Sequence, residues 1–211
     1  MAANGDEEMY KLHDFQGSGN GYKVRLALTT LGLDFTYVET DILNGGTRTP
    51  EFLALSLFGR IPLLSLPDGR HLAESNAILC YLAEGSKLMP EDAFARAQVM
   101  SWLFFEQSAH EPYLAVMRFW RRFLGMTAER EARAPELMER GHAALAIMEH
   151  RLQYHDWLAS ADFTIADIAL YAYTHVAPEG GFVLDGYPGI TRWLARVAER
   201  PGHIPITRIL R

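Results

Sequence analysis

The sequence predicts two domains of different class, an α/β domain over residues 9–86 and an all-α domain over residues 92–211. Three observations carry this reading. A strand, a helix and a second strand follow one another early in the chain. The turn-forming Pro67-Asp68-Gly69-Arg70 separates two short β runs. From Asp92 onward the apolar period is helical and strand signals vanish.

Tyr10-Lys11-Leu12-His13-Asp14-Phe15 alternates like a half-buried strand, and the small polar loop Gln16-Gly17-Ser18-Gly19-Asn20-Gly21 follows it. Val24, Ala27, Leu28 and Leu31 then recur at helical spacing, with Gly32 where a left-handed cap is wanted. Phe35-Thr36-Tyr37-Val38-Glu39-Thr40 is rich in aromatic and β-branched residues, so a second strand follows, reached by a right-handed parallel crossover. After Gly45-Gly46 a short helix starts at Thr49-Pro50, proline being at home in a first turn. The runs 61–66 and 71–73 flank the turn as an antiparallel hairpin. Glu74-Ser75 opens an amphipathic helix carrying Ile78, Leu79 and Leu82, which completes the order βαβ-α-ββα. Residues 85–92 read as a linker. Long helices are expected over 92–124 and 129–157, and shorter ones opening at Thr164 and near Pro188. Thr164 and Asp167 make a capping box, with Phe163 placed to staple onto Ile168.

Composition bounds the function. In 211 residues, 49% are hydrophobic and 22% charged, enough apolar material for a core without disulfide staples. A net charge of −6 lacks the electrostatic footprint of a nucleic-acid binder, so no nucleic-acid partner is expected. The single cysteine, Cys80, excludes an internal disulfide framework and reads as an inert core thiol. No uncharged apolar run is long enough for a membrane span. The acidic start Met1–Glu8 is unlike a secretory leader, so the expected location is cytoplasmic. The histidines are scattered, without a ligand spacing such as HExxH, and no metal is expected. Gly17–Lys23 lacks the Lys-Ser/Thr ending of a phosphate loop, and Ser18 lacks a GxSxG elbow. Arg118, Arg121 and Arg122 share a helix face, read as solvated, with an acceptor-site wall or an anion contact as the other reading.

Several residues have two readings. Ser18 and Asn20 are both preferred helix caps, and either can also donate to an anion lying at the helix N-terminus. Pro62 is tolerable at the first position of a strand. Ser75 is a good N-cap. Four segments taken together decide between these readings: Ser18–Arg25, Gly59-Arg60-Ile61-Pro62, Glu74–Leu82, and the box from Thr164 to Asp167. In this order and spacing they resemble the cytosolic glutathione transferases, over about Tyr10 to Pro201. The Ser18–Arg25 segment is similar to bacterial and to theta-, zeta- or nu-like members. The fold implied is a thioredoxin-like α/β N-terminal domain plus an all-α C-terminal domain.

The resemblance implies glutathione as co-substrate, a small hydrophobic electrophile as its partner in reaction, and a homodimer. A thiol with a pKa of roughly 8.5 is mostly protonated at neutral pH, and lowering it by about two units takes ~2.7 kcal/mol of preferential anion stabilisation. Ser18 donating its hydroxyl hydrogen, worth roughly 1.5–3 kcal/mol to a charged acceptor, together with the helix N-terminus, is of that size. Asn20 is the rival, through its amide. The resemblance further implies a cis bond at Ile61-Pro62 that turns the Ile61 backbone toward the tripeptide. It places Glu74 on the α-amino group, Ser75 on the γ-glutamyl carboxylate and Arg60 on the glycyl carboxylate. Tyr113, Phe119 and Trp120 are the candidates for the apolar substrate pocket, with Glu106 and Gln107 facing the dimer cleft. Two features depart from familiar patterns. No cysteine lies in the 17–21 loop, which argues against the cysteine-using types. Ser56-Leu57-Phe58-Gly59 replaces the frequent Asn-Pro-x-Gly, and its Phe58 is expected to dock in a partner subunit. A glutathione-dependent disulfide or peroxide reductase, or a non-catalytic module on the same fold, are the alternative functions.

Overall fold

The computed structural model describes residues 9–208 and organises the first half around β1 (Tyr10–Asp14). β1 pairs in parallel with β2 (Phe35–Glu39), Leu12 lying opposite Tyr37, and antiparallel with β3 (Leu63–Ser65). β3 pairs antiparallel with β4 (His71–Ala73), which gives the order β2-β1-β3-β4. Alternation along β1 and β3 buries Leu12 and Leu64 opposite each other. α1 (Gly19–Leu31) and α3 (Ser75–Ala83) pack together, and Val24, Leu28, Ile78 and Leu79 are wholly buried. α2 (Pro50–Leu55) is capped by Thr49, whose hydroxyl accepts from Phe52 N at 3.2 Å. α1 ends at Gly32, whose φ of 66° is the left-handed conformation that glycine adopts without a Cβ penalty. In the hairpin turn Asp68 accepts from both the backbone N and the Nε of Arg70, at 3.0 and 2.8 Å.

The chain divides into two units, residues 9–84 with 201–208, and residues 85–200. The sequence assigned everything after residue 92 to the helical half, but the last stretch returns to the first unit. Its backbone carbonyls are taken up there: Tyr22 Oη donates to Ile204 O at 2.6 Å, Gln16 Nε2 to Ile206 O at 2.8 Å and Arg25 Nη1 to the same oxygen at 3.1 Å. Pairing across about 180 residues leaves no local pattern to read.

The second unit is helical throughout. α4 (Ala93–Phe105) is capped by Asp92 and runs through a π turn at Glu106–His110 into α5 (Glu111–Phe119), then through a second π turn at Trp120–Leu124. The expected single helix over 92–124 is thus one run with two widened turns. The first lies where Pro112 has no N–H to offer the preceding turn, and the Glu111 N–H reaches back to Glu106 O instead. α6 (Ala128–Leu152) stops short of the expected residue 157. Beyond it Arg151 Nε captures Leu158 O at 2.9 Å, which folds the chain back and buries Trp157 and Leu158. α7 (Ile165–Thr174) and α8 (Pro188–Ala198) complete the unit. Arg118 is buried and paired with Glu179 at 2.8 Å, which corrects the solvated reading of that arginine. Arg122 joins the same carboxylate at 3.3 Å from a more exposed position. No helix among the described residues is long and apolar enough to cross a membrane.

α8 has no capping side chain of its own. The buried Glu149 of α6 supplies the acceptors, taking Gly189 N at 3.0 Å and Ile190 N at 2.9 Å. Truncating it leaves two donors of a helix N-terminus unpaired. Glu149→Ala is expected to lower stability by about 2 kcal/mol, read as an earlier urea midpoint. An unchanged midpoint would mean that water replaces the carboxylate without loss.

Candidate functional site

The 15–21 segment is shaped from below by a buried ion pair. Arg25 Nε stands 3.0 Å from Asp14 Oδ2, with both side chains fully buried. Arg25 Nη2 also donates to Gln16 O at 2.9 Å and Ser18 O at 3.4 Å, so one guanidinium fixes the path of the loop. Asp14 Oδ1 accepts Phe15 N at 2.7 Å. Burial pushes the Asp14 carboxyl up to about 7 against the pull of Arg25 and of the Phe15 N–H. Gly21 lies directly over this carboxyl, where any Cβ would overlap it.

At the start of α1, Ser18 has φ −74° and ψ 128° and is the N-cap, its Oγ accepting from Gly21 N at 3.1 Å. Capping uses an oxygen lone pair and leaves the hydroxyl hydrogen for another acceptor, so the structural and chemical readings of Ser18 are compatible. Asn20 is the second residue of α1 and is half-exposed. Its Oδ1 accepts from Ser75 Oγ at 3.4 Å, and Ser75 Oγ in turn accepts from Lys23 Nζ at 3.2 Å. Ser75 and Lys23 are both buried. Ser75 is the first residue of α3, where backbone N–H groups and the helix dipole favour an anion. Glu74 before it has φ 69°, the left-handed region, unusual and strained for a residue with a side chain. The Ile61-Pro62 bond is cis, as expected from the resemblance.

The structure therefore brings Asn20 and Ser75 together across 55 residues of chain, with Ser18 on the same helix start. Arg60 is exposed and Ile61 half-buried. Tyr113 and Trp120, seven residues apart, are faced by arginines of α6. Arg140 lies 5.8 Å over the Tyr113 ring and also donates to its hydroxyl at 3.3 Å, while Arg133 lies 5.4 Å over Trp120. Phe119 meets Phe123, ring centroids 5.6 Å apart. Glu106 is buried, Gln107 exposed, Phe58 is 53% exposed and Cys80 only half-buried. Lys23 was not singled out in the sequence. The one sign of it is that α1 holds two cations and no acid, so neither has an i+4 partner on its own helix.

The geometry agrees with what comparison with known proteins finds. Residues 17–84 match the glutathione S-transferase N-terminal domain and residues 101–201 the glutathione S-transferase C-terminal domain. A glutathione S-transferase from Pseudomonas fluorescens is 48% identical and superposes with a TM-score of 0.93 over 95% of this chain and 100% of that one. The chain belongs to the glutathione S-transferase family. Among curated relatives, the disulfide-bond oxidoreductase YfcG of Escherichia coli is 30% identical over 198 residues, 89% of either chain. A glutathione transferase family member from Pseudomonas fluorescens with two glutathione bound is 27% identical, with a TM-score of 0.83 over 94% of this chain and 92% of that one. The family's two-part architecture corresponds to the sheet-based and helical units described above.

Proposed function

We propose that the protein is a homodimeric, cytoplasmic glutathione transferase that ionises the thiol of glutathione for attack on a small hydrophobic electrophile. The reading rests on one juxtaposition above all: Asn20, beside the Ser18 cap, meets Ser75 at the N-terminus of α3. In this arrangement the γ-glutamyl carboxylate takes the α3 N-terminus and Glu74 takes the α-amino group. The peptide runs along the Ile61 backbone, and its thiol lies over the start of α1. Arg60, exposed beside Ile61, meets the glycyl carboxylate. Tyr113, Phe119 and Trp120 supply apolar surface to the electrophile. The protein holds two reactants and favours the thiolate; it forms no covalent bond itself.

Ser18 and Asn20 are separable. Ser18→Ala is expected to lower turnover with 1-chloro-2,4-dinitrobenzene by about ten-fold while glutathione affinity stays near wild type, the pattern of a bond made to the ionised thiol. Turnover equal to wild type in that variant, with a loss in Asn20→Ala, would move the thiol contact to Asn20.

The similarity to YfcG favours a second reading, glutathione-dependent disulfide reduction. There one thiolate attacks a disulfide, one thiol leaves, and a second glutathione releases the other thiol as oxidised glutathione forms. Reduction of hydroxyethyl disulfide measured beside the conjugation assay decides between them, because both need the same thiolate and only one needs two glutathiones per turnover.

A further inference from the structure

Lys23 has an unusual position for a lysine. It lies on α1 between Tyr22 and Val24, is fully buried as they are, and its ammonium reaches Ser75 Oγ on another helix at 3.2 Å. Burying an ammonium is costly, and a donor so placed fixes what it touches. A serine hydroxyl has a single hydrogen. With Nζ donating into the Ser75 oxygen, that hydrogen goes to Asn20 Oδ1 at 3.4 Å. The direction matters for Asn20, because an oxygen turned toward Ser75 turns the amide nitrogen away from it. It matters for Ser75 too, since its hydroxyl is committed and only its backbone N–H is left for an incoming carboxylate.

We propose that Lys23 is a positioning residue for glutathione: through Ser75 it sets the Asn20 carboxamide so that its NH2 group faces the thiol beside the Ser18 hydroxyl while the α3 N-terminus receives the γ-glutamyl carboxylate. The relay Lys23–Ser75–Asn20 ties the two ends of the tripeptide site to one buried cation. It deepens the function proposed above and rests on it for the identity of the ligand. The relay itself is a property of the unliganded protein.

Two measurements on the full chain test it. In the unliganded protein the side-chain amide signals of Asn20, followed by 15N NMR, are expected to move in the same way in Lys23→Met and in Ser75→Ala. Signals unmoved in Ser75→Ala overturn the relay, whatever glutathione does, and Ser75→Ala stands as the test if Lys23→Met fails to fold. In calorimetric titration with glutathione, each variant is expected to bind about ten-fold more weakly, the loss expected for a charged hydrogen-bond chain. The double variant is expected to bind no more weakly than either single one, because the residues act in series. Losses that add in the double variant would mean two independent contacts and would overturn the proposal. The pH at which the thiolate absorption of bound glutathione grows in is expected to rise in Lys23→Met, a shift that a purely architectural lysine would not produce. If wild type gives no heat with glutathione while the Asn20 signals respond as described, the relay stands and the glutathione reading falls.

Discussion

Gly21→Ala is expected to destabilise the protein by about 3–5 kcal/mol, the cost typical of breaking a buried ion pair from one side. The new methyl group would occupy the space of the Asp14 carboxyl, and the displaced carboxyl would have to abandon Arg25, 3.0 Å away and equally buried. Arg25 would then hold an unpaired charge while still bonded to Gln16 O, Ser18 O and Ile206 O. The effect should reach the loop as well as the core, because the same guanidinium shapes both. Equilibrium unfolding in urea measures the loss. Asp14→Ala removes the obstacle, so in that background the alanine at 21 should cost far less than it does alone. A full and additive penalty in the double variant would show that the conformation of residue 21, rather than the carboxyl beneath it, is what alanine offends.

Asp167→Asn is expected to cost about 2–4 kcal/mol at pH 8, the range for leaving buried donors unmatched. Asp167 is wholly buried at the start of α7, and four donors converge on it. Oδ1 takes Leu158 N and Trp193 Nε1, both at 3.0 Å, while Oδ2 takes Thr164 N at 3.0 Å and Thr164 Oγ1 at 3.3 Å. Burial pushes the carboxyl up to about 6, so at pH 8 it is ionised and can accept from all four. An asparagine offers one oxygen and one NH2, and the NH2 would face the Thr164 N–H donor to donor. Because the carboxylate joins the α7 start, the 158 loop and α8, its loss should lower the midpoint for the whole helical unit and alter the near-ultraviolet signal of Trp193. Thr164→Ala, which removes only the cap hydroxyl, should cost about 1 kcal/mol. Equal losses from the two substitutions would reduce Asp167 to an ordinary helix cap.

What was legible in the sequence was local. Alternation at residues 10–14, the left-handed Gly32, the Pro67–Arg70 turn and the Thr164–Asp167 box each declare themselves within a few residues, and the structure carries all of them. The resemblance named Asn20 and Ser75 separately, but nothing in the sequence showed that their side chains meet. What stayed hidden was set by distant partners. The end of α6 depends on Arg151 finding Leu158 O, and the start of α8 on Glu149 crossing from α6. The burial of Lys23 and Arg25 leaves no mark in the sequence, because periodicity ranks residues by polarity and cannot see an acceptor on another element. The same blindness put Arg118 in solvent although it is buried and paired with the half-buried Glu179.

The return of residues 201–208 to the sheet-bearing half has a bearing on biogenesis. A nascent chain can assemble β1 to α3 once about a hundred residues have left the ribosome, yet Tyr22, Gln16 and Arg25 still lack the carbonyls of Ile204 and Ile206 that they bind in the finished molecule. The half translated first is therefore completed by the stretch translated after the helical half. Severing the gene between the halves would yield an amino-terminal fragment with three donors left to water, and grafting the closing peptide onto that fragment is the natural way to make it self-sufficient.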